Sequence, residues 1–286
     1  MSRCAKFVFL CTVAALLPRL VAAQVLMKLQ IEHAQLVRYE SVNAFISILN
    51  ESPHQLTFGG KDGARLSFFI EHERDTSADR ITQKPLAENV NIEPGTSLDI
   101  LRDISRWYDL GPVGNYSIRA IIEWRGESYQ SNRVRIDVVN GLPISSEKRT
   151  IWNEEEFVRE FSLCYLAREG TERLFLSIDD KRAGISYGVF DLGGIIRLHP
   201  PVIRISREGN VRVLHQSGFG RYTLNKLEVT SDKVHFVDQS YIGEDGKPLN
   251  ATEMPSLENP EAEFPPKKPE EPERKWWPFR RQSESE

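Results

Sequence analysis

One short motif in this chain has the spacing of a catalytic nucleophile. Gly184-Ile-Ser186-Tyr-Gly188 matches the G-x-S-x-G elbow, in which a sharp strand-to-helix turn exposes the serine hydroxyl beside an oxyanion hole. Residues that could complete a triad lie further along the chain: Asp191, His215, Asp232 and His235. A polar turn precedes the motif, however, and residues 187–190 read as a continuing strand. Ser186 therefore supports only a second alternative function, that of a serine hydrolase.

The other reactive residue types are not arranged as a catalytic or metal site. The six histidines lack the short spacings that converge on zinc. Asp179 and Asp180 fall in a predicted turn, where aspartate is favoured because it hydrogen-bonds the local backbone. Cys164 lies on an apolar stripe and is expected to be a buried thiol. We therefore expect no catalytic residue, no metal, no cofactor and no enzymatic activity.

The C-terminal end carries residues suited to binding a partner. Proline and glutamate dominate residues 248–286, and such a composition cannot bury a core, so we predict a disordered tail there. The tail ends in a cluster of basic and aromatic residues: Trp276, Trp277, Phe279, Arg280 and Arg281. Tryptophans on a tethered peptide could dock on a protein or on the interfacial zone of a membrane, so these residues are the candidate partner-binding set.

The elements before the tail are predicted to be mainly strands. Residues 24–140 contain short runs in which apolar and polar residues alternate, as in Val42–Ile48 and Tyr116–Trp124, with glycine, proline and asparagine between them. Alternation at period 2 fits a sheet with one buried face, and regularly spaced short strands favour a sandwich.

A second unit is predicted to begin with a helix. Asn153 is a candidate N-cap, and Phe157, Phe161, Cys164 and Tyr165 fall at i, i+4, i+7 and i+8. The spacing predicts one amphipathic helix over 153–169, and Gly170 can terminate it. We expect residues 141–150 to be a linker and residues 151–247 to form a helix plus a small β-rich domain.

One segment of the first unit is typical of a known family. The run Trp107-Tyr-Asp109-Leu-Gly-Pro-Val-Gly114-Asn-Tyr116 resembles the region before the penultimate strand of bacterial immunoglobulin-like sandwiches. Residues 40–52 and 92–95 resemble an early strand and the segment before the corner of the same modules. The layout is similar to that of the intracellular proteinase inhibitor type and covers about residues 25–140. The resemblance implies that Asp109, Gly114 and Tyr116 form a structural tyrosine corner.

The first 23 residues have the pattern of a secretory signal. A basic start at Arg3 and Lys6 precedes an apolar run over residues 7–17, and Val21-Ala22-Ala23 offers a cleavage site. The apolar run is too short to span a bilayer, so we expect no transmembrane segment after cleavage. Cleavage leaves one cysteine and 34 basic against 41 acidic residues, since Arg3, Lys6 and Arg19 are removed. The acidic balance argues against nucleic-acid binding.

The sequence thus predicts an exported protein, periplasmic or extracellular, of a kind typical of bacterial envelopes. Its expected function is non-enzymatic binding or a structural role, with a protein or envelope component as partner. The first alternative is a proteinase inhibitor that uses a sandwich loop. Candidate binding loops are residues 54–63, 75–96 and 125–129.

Overall fold

The structure, a computed structural model, describes residues 24–73, 76–152 and 156–249. Within these residues the chain is mainly β, with antiparallel sheets and no helix of seven or more residues. The N-terminal half contains eleven strands: β1 (Val25–Ile31), β2 (Gln35–Val37), β3 (Asn43–Asn50), β4 (Leu56–Phe58), β5 (Arg65–His72), β6 (Thr76–Ser77), β7 (Val90–Ile92), β8 (Ser97–Asp103), β9 (Gly114–Trp124), β10 (Glu127–Gln130) and β11 (Val134–Val139). One 3-10 turn, Ile104–Arg106, follows β8.

The C-terminal half contains eight further strands: β12 (Leu142–Trp152), β13 (Glu156–Arg168), β14 (Thr171–Asp180), β15 (Ile185–Gly194), β16 (Val202–Ile205), β17 (Asn210–Gly218), β18 (Arg221–Val229) and β19 (Val234–Gly243). Nowhere in the described ranges is there a helix long and apolar enough to cross a membrane.

The N-terminal half is built from two main sheets around one core. One sheet has the order β1-β3-β8, and the other has the order β2-β11-β9-β5-β6 with β10 also paired to β9; β4 and β7 form a separate pair. Alternate side chains of these strands are buried, as in β9, where Ile118, Ala120 and Ile122 are inaccessible to solvent. They belong to a single apolar cluster that draws on both sheets, so period-2 alternation places the core between the sheets.

The C-terminal half consists of two four-stranded antiparallel sheets whose strands follow chain order, β12-β13-β14-β15 and β16-β17-β18-β19. Their facing side chains, among them Phe161, Leu176 and Val213, form a second core. The two sheets are also joined directly, because the Trp152 amide donates to the Arg207 carbonyl at 2.6 Å.

The predicted amphipathic helix over 153–169 is wrong, because residues 156–168 form strand β13. Phe157, Phe161 and Tyr165 are four positions apart, a spacing that puts them on one face of a strand as well as of a helix. Cys164 lies on the opposite face of β13 and is buried by different residues. Since both faces of the strand bury apolar side chains, its sequence lacks the alternation that marks a half-exposed strand.

Residues 142–150, expected to be a linker, belong to β12. Only Asn140 and Gly141 separate β11 from β12, so the two halves are closely joined. The predicted signal peptide and residues 250–286 of the predicted tail lie outside the described residues, as do Asn153 and the two residues after it.

A third, small apolar cluster lies where the halves meet. Val37 from the N-terminal half packs with Cys164, Leu166 and Phe175 from the other half. Beside it Arg168 donates from Nη2 to Oε2 of Glu40 at 2.7 Å, and the two side chains are only 4% and 9% exposed. We call this set, with Glu40 and Arg168, the junction.

Candidate functional site

The predicted corner residues lie around the start of β9. The Tyr116 hydroxyl donates to the Pro112 carbonyl at 2.6 Å, and the ring is buried. Burial raises the pKa of Tyr116 to about 12, and the Asp109 carboxylate acts in the same direction. Asp109 accepts from the Gly111 amide at 2.9 Å, which closes the turn before the strand. These hydrogen bonds give both residues a structural role at the turn before β9.

Gly114 occupies a position that requires glycine. Its φ is +141°, and a Cβ there would lie 2.6 Å from Nε2 of His72. A side chain would therefore be strained by the backbone and would also collide with a neighbour.

Replacing Tyr116 by phenylalanine is expected to lower the free energy of unfolding by about 1–2 kcal/mol, because the Pro112 carbonyl loses its donor. Tyr39→Phe is the matched control, since that hydroxyl accepts from Arg38 at an exposed site and should matter little. Urea denaturation of both variants checks this, and equal midpoints would contradict the role of the hydroxyl.

The structure does not assemble a triad around Ser186. Ser186 is the second residue of β15, opposite Asp179 of β14, and the strand continues to Gly194. Its hydroxyl is buried, and no described group hydrogen-bonds it. Asp191 is instead paired with Arg173 at 2.7 Å, and His215 contacts the Gly194 carbonyl. A strand-to-helix turn, which the nucleophile elbow needs, does not occur at this point of the described chain.

The other sequence candidates occupy structural or undescribed positions. Cys164 is free and buried, and burial together with the nearby Glu40 carboxylate raises the pKa of its thiol to about 11. Across the described ranges, groups of three or more histidine, cysteine, aspartate or glutamate side chains that could hold a metal ion are absent. The candidate partner-binding residues Trp276–Arg281 lie outside the described residues.

Two of the three predicted binding loops converge on one concave surface. It has a volume of about 310 Å³ and is open to solvent. Its lining comes from the segment that precedes β5 and from the hairpin between β9 and β10: Lys61, Gly63, Arg65, Glu123, Trp124, Arg125, Gly126, Glu127 and Ser128. We call this surface the loop groove.

Glycines fix the first wall of the loop groove. Gly59 and Gly60 have φ values of +93° and +74°, in the left-handed region that favours glycine. A Cβ on Gly63 would lie 1.8 Å from the Gly59 carbonyl oxygen, so the loop closes tightly on itself. This closure holds Lys61 at the tip of the loop and Arg65 at the start of β5.

The second wall is a two-residue hairpin whose first turn residue is unusual. Arg125 and Gly126 connect β9 to β10, and both have positive φ, +52° and +81°. Positive φ at both positions is the pattern of a type I′ turn, where asparagine or glycine is preferred at the first position. A left-handed arginine costs about 1 kcal/mol, and such strain is concentrated at functional sites. The Arg125 guanidinium lies 5.1 Å from the centre of the Trp124 ring.

Five charged side chains line the loop groove. Lys61, Arg65 and Arg125 line it together with Glu123 and Glu127. Arg65 and Glu123 are direct neighbours across β5 and β9, yet neither they nor the other three side chains form an ion pair within 4.0 Å in the described part of the chain. A surface with five charges of both signs that form no described ion pair can bind a polar ligand with the complementary charge pattern.

The predicted loops contain six of the nine residues that line the loop groove, and three lining residues lie outside them. Arg65, Glu123 and Trp124 lie within strands and outside the predicted loops. The available signal was the Arg125-Gly126 dipeptide between two strand patterns, which marks a hairpin and therefore brings the ends of β9 and β10 together. The third predicted loop, residues 75–96, does not line the groove; Leu86 within it is buried in the core.

No protein-family model matches this chain, and no curated protein is similar to it in sequence. Among solved structures it is similar to Spo0M, a sporulation control protein from Bacillus subtilis. The sequence identity is 11%, the match covers 58% of this chain and 83% of that chain, and the TM-score is 0.29. A TM-score of this size does not establish a shared fold.

Proposed function

We propose that this protein is an exported, non-enzymatic binding protein whose loop groove holds a partner protein or envelope component. The observation that carries the proposal is Arg125, a charged residue kept in a left-handed turn position where asparagine or glycine would be unstrained. Within the described chain Arg125 forms no ion pair, and its cation–π contact with the Trp124 ring leaves the side chain exposed. We infer that its guanidinium is held there for contact with a partner.

The export part of the proposal rests on the sequence of residues 1–23 and on cysteine usage. Their basic, apolar and small-residue sections have the order of a secretory signal. The remaining cysteine, Cys164, is buried, so the exported chain depends on packing of its sheets in place of disulfides.

We also assign the N-terminal half to the immunoglobulin-like sandwiches. Two observations support this assignment: a three-stranded and a larger sheet share one core, and the Tyr116 hydroxyl bonds backbone four residues upstream, as in a tyrosine corner. In such sandwiches binding residues cluster on loops at the ends of the sheets, which is where the loop groove lies.

Replacing Arg125 by asparagine is expected to raise the stability of the protein and to weaken its binding to the partner. Asparagine tolerates the left-handed turn, so the free energy of unfolding should rise by about 0.5–1 kcal/mol. Binding should fall at least about fivefold, because an interfacial arginine at a hot spot contributes 1 kcal/mol or more. Urea denaturation measures the first effect, and quantitative capture of the bound component from an envelope extract of the source cells measures the second.

The matched control is Arg135→Gln, which removes the same charge from an exposed position on β11 away from the loop groove. It should leave capture unchanged. If wild-type protein captures nothing above background, or if Arg125→Asn and Arg135→Gln capture equally, the groove is not the binding surface. Stoichiometric inhibition of a proteinase would identify the partner as a proteinase. Labelling by a fluorophosphonate probe that is lost in Ser186→Ala would show that the protein is a serine hydrolase and would overturn the proposed binding function.

A further inference from the structure

The sheet β16-β17-β18-β19 has one face in the second core and one face in solvent. Val211 and Val213 of β17 are buried in the core, so Arg212 and Leu214, which alternate with them, lie on the opposite face. Both of these side chains are exposed. We call this solvent-facing surface the outer face, and its central residues are Val202, Arg204, Arg212, Leu214, Leu224 and Lys226.

Two arginines are direct neighbours on the outer face. Arg204 of β16 is paired with Arg212 of β17, and both side chains are exposed. Directly opposite residues have Cβ atoms about 5 Å apart, and like charges in that position destabilise a sheet. Neither arginine forms an ion pair in the part of the chain that the structure describes. The next residue across the sheet, Lys226, is paired with Asp238 at 2.9 Å, which leaves the two guanidinium groups without a described counter-ion.

A row of apolar side chains lies beside the arginine pair. Val202 is opposite Leu214, and Leu214 is opposite Leu224, so the three side chains form a line across the sheet. Val202 is 48% exposed and Leu214 is 36% exposed. This row is two residues along the strands from the arginines, a distance of about 6.6 Å. The outer face therefore presents positive charge and apolar surface side by side.

We propose that the outer face binds an acidic, extended segment of a partner protein. In an extended segment residues i and i+2 point to the same side and are about 7 Å apart, so a carboxylate at i and an apolar side chain at i+2 match the two rows. Arg204 and Arg212 donate to the carboxylate in charge-assisted hydrogen bonds, and its negative charge offsets their mutual repulsion. The outer face belongs to the C-terminal half, so the proposal does not rest on the loop groove.

A protein segment fits this face better than a membrane surface does. Membrane-binding surfaces bury apolar side chains deeper in the bilayer than basic ones. On the outer face the order is reversed, because arginine is longer than valine or leucine and extends further from the sheet than Val202 or Leu214. A side chain of a bound segment can reach the apolar row beside the arginines, whereas a lipid surface meets the charges first.

The test measures binding of a short fluorescent peptide to the full-length chain by anisotropy. In the peptide, glutamate and leucine alternate at every second position, with threonine between them. Arg204→Gln and Arg212→Gln are each expected to raise the dissociation constant at least about fivefold, because each removes a donor to the carboxylate. Arg135→Gln, the matched control, removes an exposed arginine from β11 and should leave binding unchanged. The urea midpoints of the two outer-face variants should not fall, since each substitution relieves a repulsion.

A separate variant tests the apolar row. Leu214→Ser is expected to weaken binding of the peptide at least about threefold, because it removes exposed apolar surface that the peptide leucine covers. Binding of a second peptide, with serine in place of leucine, should be equal in Leu214→Ser and the wild type. Equal binding of the leucine peptide to both proteins would contradict the role of the row.

Several results would overturn the proposal. The outer face is not the site if the full-length chain does not bind the peptide, or if Arg212→Gln and Arg135→Gln bind it equally. Binding of phosphatidylglycerol vesicles in place of the peptide, lost in Arg212→Gln, would assign the face to a membrane. Tighter peptide binding by a chain that ends at Leu249 would assign it to the acidic end of the same chain. Self-association in sedimentation that Arg212→Gln abolishes would assign it to a second copy.

Discussion

Replacing Glu40 by alanine is expected to lower the free energy of unfolding by about 3–5 kcal/mol. Glu40 and Arg168 form a pair that is almost inaccessible to solvent, and removal of Glu40 leaves the buried Arg168 charge without its nearest counter-ion. Glu40 also accepts from the Val37 amide at 2.8 Å, so the truncation orphans a second donor. The neighbouring carboxylate of Asp191 compensates the Arg168 charge only in part, because it lies 3.7 Å from Arg168 and already accepts from Arg173 at 2.7 Å.

The chain supplies its own control for this experiment. Lys226 and Asp238 form a pair of similar length, 2.9 Å, but both side chains are more than 40% exposed. Asp238→Ala should therefore change the stability by less than about 1 kcal/mol. Urea denaturation compares the two variants, and an equal loss in both would contradict the burial argument.

The alkylation rate of Cys164 shows whether the loss of stability in Glu40→Ala is local to the junction. Its thiol is buried against Val37, and its raised pKa keeps it protonated and unreactive at neutral pH. Glu40→Ala should therefore speed alkylation of Cys164 under native conditions, whereas Asp238→Ala should not. Unchanged alkylation in Glu40→Ala would place the lost stability elsewhere.

The mainly β class could be predicted from the sequence because most strands have one buried and one exposed face. Residues Tyr116 to Trp124 alternate strictly, and they form β9. The prediction failed at β13, where both faces are buried, one by the second sheet of its own half and the other by Val37. Alternation disappears when neighbours cover both faces, and the remaining i, i+4 spacing fits a helix equally well.

The candidate site was predictable at the level of loops and not of side chains. Turn residues mark hairpins locally, so the loop around Arg125 could be expected. That Arg65 would lie against the same groove depends on the pairing of β5 with β9, a contact between segments distant in sequence. The junction could be predicted even less, because Glu40 and Arg168 are 128 residues apart and the sequence around neither residue indicates that they pair.

His215 is buried near polar side chains that hydrogen-bond an irregular part of strand β15. Strand β15 departs from regular pairing with β14 near Gly193, whose φ is +101°. The freed Leu192 carbonyl accepts from the Asn225 side chain at 3.3 Å and from that of Gln239 at 3.1 Å. Nε2 of His215 lies 3.1 Å from the Gly194 carbonyl, which makes Nε2 the protonated nitrogen of the neutral ring. Nδ1 is buried, and no described group hydrogen-bonds it.

Acidification is therefore expected to destabilise the protein through His215 by about 3 kcal/mol between pH 7 and pH 4. Burial lowers the pKa of His215 from 6.5 to about 4, since a proton on Nδ1 would place a charge without an acceptor in the core. The unfolded chain binds that proton below pH 6.5 and the folded chain does not, so stability falls as the pH drops from 6.5 towards 4. His215→Gln keeps a donor for the Gly194 carbonyl and removes the titration. Urea denaturation of both proteins at several pH values isolates the effect as the difference between two curves. Parallel curves would show that His215 is protonated as easily in the folded protein as in the unfolded chain.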